Sequence, residues 1–181
     1  LRLLPYAPGD EPLERTSTAE LYMLHSALRQ HFQHIIVNLT GQVDCEALRT
    51  FVSHCDKLIW YTDQNVIECR RNLEVLNSWR EKGMNLEHAK LLVDRYLRSV
   101  IPDAEALGKR FALPVLSELP ASAEVRLNSR NQGLSLFELA PRDNLTHALK
   151  TLGERLARRS ENIKPKTDSW LSRLWGTKHE Q

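Results

Sequence analysis

At 181 residues, 41% of them hydrophobic, the chain can bury one substantial core, and a formal net charge of +2 is too small to point by itself to nucleic acid. Cys45, Cys55 and Cys69 are widely spaced and include no Cys-x-x-Cys pair, which argues against a disulfide framework or a zinc site and suits a reducing compartment. No apolar run approaches the roughly 20 residues that a membrane-crossing helix needs, and no signal-peptide pattern is present.

In chain order, short β-rich runs alternate with longer helical patterns. This predicts an α/β fold with a mainly parallel sheet flanked by helices. The chain starts at leucine and LRLLPY already reads as a strand over residues 1–6, so it is expected to begin inside a fold. After the turn-forming APGDEP, Ser17-Thr18-Ala19-Glu20 fits a capping box that opens a helix reaching about His31, with Leu21, Leu24 and Leu28 on one face. HIIVNLTG then reads as a buried strand over 34–39 that delivers Asn38 to Gly41 into a loop.

A short helix is expected over 43–54, with Val43, Ala47 and Phe51 inward, followed by a strand over 57–62. Val66, Cys69, Leu73 and Leu76 mark a longer helix with Gly83 as its stop. AKLLVD predicts a strand over 89–94, Pro102 suits the first turn of a helix carrying Leu107 and Phe111, and LPVLSELP predicts a strand over 113–117. Leu145, Leu149, Leu152 and Leu156 stripe a closing helix over 143–159. The expected domains are therefore a partial α/β domain over 1–159 and, over 160–181, a linker with a short tail.

Open parallel sheets bind ligands beyond the carboxyl ends of their strands. The residues expected there are Asn38 to Gly41, Asp63, Asp94 to Tyr96 and Glu118 to Pro120. The phosphate cradle Gly-x-x-x-x-Gly-Lys-Ser/Thr is absent: Gly108-Lys109 is followed by Arg110, and Asp103 stands where the leading glycine should be. His31 and His34 have no acidic partner at metal spacing, and His54 beside Cys55 points in a different direction on a helix, so the sequence predicts neither catalytic nor metal-ligating residues.

Several segments, in order across about residues 20–158, resemble the MinD/ParA-like P-loop ATPases of the SIMIBI class, and among them the CpaE/TadZ pilus-assembly branch. HFQHIIVNLTG is similar to the family's strand ending in Asp-Leu-Pro. KLIWYTDQNVIECRRNLEVLNSWRE, with its Arg71-Asn72 step, resembles the next strand and helix. AKLLVDRY stands where the family has Asn-Arg-Tyr, and RLNSRNQGLSLFELAPRDNLTHALKTLGERL resembles its closing Asn-x-Gly-x-Pro-Leu-x-Glu-x-x-Pro stretch and last helix. The resemblance implies a MinD/ParA-like domain whose phosphate-loop portion lies upstream of this chain.

It also implies a nucleotide pocket at Asn38, Asp94, Arg95, Leu119 and Pro120, with two departures. Asn38 replaces a magnesium-serving aspartate with a neutral amide, and losing one such electrostatic group costs about 3 to 4 kcal/mol at the transition state. Asp94 replaces an adenine-contacting asparagine with a group that accepts but cannot donate when ionised. ATP and magnesium are accordingly expected, if at all, only in the full-length protein, and none in this chain alone.

The function implied by the resemblance is that of a degenerate ATPase-like scaffold for Flp/Tad (type IVc) pilus assembly and localisation. It would lie in the cytoplasm, peripheral to the inner membrane, as a homodimer contacting the pilus secretion ATPase and inner-membrane platform proteins. The alternative is an active ATPase of the same family with its phosphate loop upstream. Nucleic acid is not expected as a partner; the cluster Arg155, Arg158, Arg159, Lys164 and Lys166 is the one feature that suggests it.

The tail adds a separate expectation. RRSENIKPK reads as a linker, and DSWLSRLWGTK places Trp170, Leu171, Leu174 and Trp175 on one side of a short basic amphipathic helix suited to a membrane surface or a partner groove.

Overall fold

The computed structural model describes Arg2, Leu4 and residues 15–157. The expected strand over 1–6, the boundary at 159 and the tail residues Trp170, Leu171, Leu174 and Trp175 lie wholly or largely outside the described residues. The elements follow the order α1 (Thr18–His31), α2 (Glu46–His54), β1 (Leu58–Thr62), α3 (Val66–Glu81), β2 (Ala89–Tyr96), α4 (Ala104–Phe111), β3 (Val115–Pro120), α5 (Ala123–Gln132), α6 (Leu136–Leu139) and α7 (Asn144–Ala157).

The three strands pair in the order β1-β2-β3, and both pairings are parallel. Parallel neighbours need a crossover between them, and α3 and α4 supply it. β2 is the central strand and is buried on both faces: Leu91 and Val93 face one core, Leu92 the other. The first core gathers Val52, Trp60, Leu76, Trp79, Leu107 and Phe111 from the helices and β1. The second joins Leu92 and Leu119 to Leu145 and Leu152 of α7. The result is a sheet between two helical layers, as the alternation of patterns predicts.

Local chemistry explains the helix ends. Ser17 caps α1 reciprocally with Glu20, the Glu20 amide donating to the serine Oγ at 3.2 Å and the Ser17 amide to the Glu20 carboxylate at 2.9 Å. Asn65 accepts from the Ile67 and Glu68 amides to start α3, and Asp103 accepts from Ala106 at 2.8 Å to start α4. Pro102 thus stands just ahead of the cap rather than in the first turn. α3 ends at Glu81, two residues before Gly83.

The Gly108-Lys109 pair lies inside α4, where a Cβ on Gly108 would come 2.9 Å from Val115 Cγ2 and 3.2 Å from the Leu113 carbonyl. That glycine serves close helix-to-strand packing, which accounts for the pair without any phosphate.

Two further expectations fail. Residues 34–39 form no strand, and Ile36 is 91% exposed. A β-branched run becomes a strand only when a neighbour completes its backbone hydrogen bonds, and no described strand lies beside it. The helix expected from Val43 begins three residues later, with the Cys45 Sγ accepting from the Leu48 amide at 3.5 Å, and Val43 is exposed. The loop before it is tied down by Asp44, which accepts from Arg49 at 2.6 Å, Lys82 at 2.9 Å and the Trp79 indole at 2.9 Å.

Candidate functional site

The carboxyl ends of β1, β2 and β3 converge on one carboxylate. Asp94 lies near the end of β2 and is 2% exposed after three apolar neighbours, so its charge needs partners. Arg126 of α5 supplies them in a two-point clasp: one Nη donates to Oδ1 at 2.5 Å, the other to Oδ2 at 3.2 Å. The same guanidinium donates to the Pro120 carbonyl at the end of β3, 3.1 Å away. From β1 the Tyr61 hydroxyl donates a hydrogen bond to Asp94 Oδ2.

A bulge in β2 makes this geometry. Val93 pairs with Glu118, but Tyr96 pairs with Pro120, so β2 carries one residue more than β3 over that stretch. Arg95 takes the left-handed conformation there, at φ +49°, which is uncommon for arginine. The parity shift lets Val93 and Tyr96 pack against the same core while Asp94 faces the strand ends.

The electrostatics follow from this arrangement. Desolvation, then the hydrogen bond and charge of Asp94, push the Tyr61 hydroxyl up to about 12, so it remains a proton donor until strongly alkaline pH. Arg126 completes its clasp at a cost: its Nε is buried without a hydrogen-bond partner among the described residues.

Beside this cluster, Gln64 pins the loop that follows β2. Its amide donates to the carbonyls of Val100 at 2.7 Å and Pro102 at 2.9 Å, and its Oε1 accepts from the Leu97 amide at 2.8 Å.

Of the five residues expected to form the pocket, two are joined through a common partner. Asp94 and Pro120 share Arg126, Leu119 is buried in the second core, and Arg95 is exposed at the bulge. Asn38 does not join them by any hydrogen bond among the described residues. It is exposed, and its Oδ1 accepts from the Thr40 amide at 3.1 Å, an Asx-type turn.

These residues do not fit magnesium or a nucleobase as they stand. The one carbonyl oxygen of Asn38 is turned to its own backbone, and both carboxylate oxygens of Asp94 are already engaged. Among the described residues no group of three or more His, Cys, Asp and Glu side chains could hold a metal, and no helix is long and apolar enough to cross a membrane. His31 and His34 are exposed. Cys55 keeps its proton: desolvation and then Asp56 push the thiol up, and its Sγ donates to the Val52 carbonyl at 3.1 Å.

Two site residues escape sequence reasoning, Arg126 and Tyr61. A signal for Arg126 exists: an aspartate following Leu91-Leu92-Val93 at a buried strand end demands a cation, and the next strand end is the natural place to seek one.

No protein-family profile and no curated protein sequence matches the chain. Solved structures do. The MinD cell division protein of Aquifex aeolicus superposes with a TM-score of 0.63 at 15% identity over 80% of this chain and 62% of its own. A ParA family ATPase from Chlorobium tepidum gives 0.67 at 19% identity, over 78% of this chain and 57% of its own. The septum site-determining protein MinD of Pyrococcus horikoshii, complexed with Mg-ADP, gives 0.61 at 16% identity, over 78% and 57%. The chain therefore spans between 57% and 62% of the length of these structures. Its parallel sheet between helical layers is the MinD/ParA-like α/β fold.

Proposed function

We propose that this chain belongs to a degenerate, ATPase-like scaffold of the CpaE/TadZ type, which assembles and positions the Flp/Tad (type IVc) pilus machinery. The single observation that carries the degenerate part is the engagement of Asp94. Both of its oxygens bind Arg126, and Tyr61 donates to one of them, so a nucleobase would have to compete with a nearly buried ion pair for the carboxylate. The pilus assignment rests on the resemblance of four ordered sequence segments, and the fold supports the superfamily. In this reading the protein works at the cytoplasmic face of the inner membrane as a homodimer. It contacts the secretion ATPase and membrane platform, with Trp170, Leu171, Leu174 and Trp175 touching a membrane or a partner.

The second reading is an active ATPase whose phosphate loop lies upstream. It is favoured by the likeness to MinD complexed with Mg-ADP. In that case ATP and magnesium are held by the full-length protein through residues outside this stretch.

Mg-ATP binding and turnover by the full-length protein, beside an Asn38→Asp variant, decide between the two. The scaffold reading expects no turnover in the wild type; turnover comparable to that of working relatives overturns it. A gain of roughly two to three powers of ten in the variant would mark Asn38 as the eroded group. Co-purification of a pilus secretion ATPase with the full-length protein from its native host tests the assembly role. Its absence, with normal piliation in a deletion strain, removes that role.

A further inference from the structure

We propose that α5 is a hinged lid over the carboxyl edge of the sheet, latched shut by Arg126 on Asp94. The inference is independent of the functional reading above, because it uses only the geometry of this segment. α5 has no buried residue: Val125 on it is half-buried and Leu127 is 56% exposed, so hydrophobic packing holds the helix down only weakly. A left-handed residue stands at each end: Ser122 at φ +34° before it and Gly133 at φ +65° after it. A serine in that region is held by its surroundings, and here its hydroxyl donates to Asp143 Oδ1 at 2.9 Å. The glycine takes the conformation without strain.

Beyond the second hinge the chain is anchored again. Thr146 donates to the Ala140 carbonyl at 2.7 Å, and Leu136 packs against the second core. Fixed ends and a middle without a buried side chain describe a segment that moves as one piece.

The latch is the clasp already described. Arg126 is the one side chain of α5 whose hydrogen bonds reach the ends of β2 and β3, among the described residues, and it spans both. The buried Nε finds no partner among the described residues, so the closed state leaves that donor desolvated, which opposes closure. Opening releases both Asp94 oxygens and the Pro120 carbonyl from Arg126 while Tyr61 still donates to Oδ2, so a group that takes up the Asp94 carboxylate from above displaces Arg126 and with it the latch on α5.

Hydrogen–deuterium exchange on the full chain tests this, in the wild type and in Asp94→Asn and Arg126→Met variants. The wild-type amides of 123–132 should exchange faster than those of α7 and β2. Each variant should accelerate them by roughly 10- to 100-fold, the worth of charge-assisted hydrogen bonds, while α7 and β2 keep their protection. Should Asp94→Asn unfold the sheet, Arg126→Met alone decides, since it removes the latch from the lid side. Wild-type α5 amides as protected as those of α7 would overturn the proposal, and so would Arg126→Met leaving α5 exchange unchanged.

Discussion

Residues 34–37 and β1 have nearly the same chemistry, yet one is bare and the other built in. HIIV and LIWYT are both β-branched or aromatic runs that precede a polar strand end. In β1, pairing with β2 fixes the backbone, and Trp60 reaches the core at 8% exposure. In the earlier run Ile36 stands almost wholly in solvent. Apolar content supplies the drive toward burial, but a strand exists only where a neighbour offers its hydrogen bonds. The same contrast runs through the helices: α4 buries Ala104, Leu107 and Phe111, whereas α1 buries only Leu21 and packs chiefly on α2.

Four substitutions probe this contrast, in descending order of effect. Phe111→Ala removes a ring with 0% exposure from the first core and should cost about 3–5 kcal/mol, measured by urea unfolding followed by tryptophan emission. A loss below 1 kcal/mol on the order set for surface sites would mean that this core is loosely packed.

Asp44→Ala should cost roughly 1–3 kcal/mol, because it strands the Trp79 indole and two cations. Desolvation works against the Asp44 charge, but the hydrogen bonds from Lys82, Trp79 and Arg49 outweigh it and hold the carboxyl below the usual carboxylate range. The contribution is therefore complete above the unfolded value near 3.8 and is lost as pH falls through the lowered folded value. An acid titration of stability in which wild type and variant run parallel below pH 4 would contradict it.

Ser17→Ala should cost about 1 kcal/mol and should act on α1 alone, read as faster amide exchange there with β2 unchanged. Ile36→Thr should change stability by less than about 0.5 kcal/mol. A cost near that of Phe111→Ala would break the comparison outright, since it would show that the 34–39 run is packed in solution.

How much of this was legible in the sequence follows from what each element depends on. β2, α4 and α7 were readable because their burial is written in local pattern: AKLLVD is continuous, and Leu107 with Phe111 and Leu145 with Leu152 repeat at helical spacing. The capping box at Ser17 is likewise a local signal. α5 and α6 were not readable as helices, because neither buries a residue and no apolar stripe marks them.

The candidate site divides the same way. Asp94, Arg95, Leu119 and Pro120 were expected at strand ends, which are predictable places, and Asp94 and Pro120 do share one guanidinium there. Arg126, the partner of Asp94 and Pro120, is 32 residues away from Asp94: a buried aspartate asks for a cation, but α5 buries no residue and carries no stripe that would show which way the arginine points. Asn38 was singled out as the end of an expected strand and then from the resemblance, and the strand expected to deliver it does not form, because pairing is something sequence alone does not reveal.

Gln64 carries a last consequence. Its three hydrogen bonds fasten the loop after β2 to the end of β1, and that loop displays Leu97, Val100 and Ile101 at 49%, 39% and 87% exposure. Three oily side chains on a slack loop would fold back on themselves in water. Fastened in this way, the loop has less freedom left to lose, so a surface that lands on it forfeits little chain entropy in doing so.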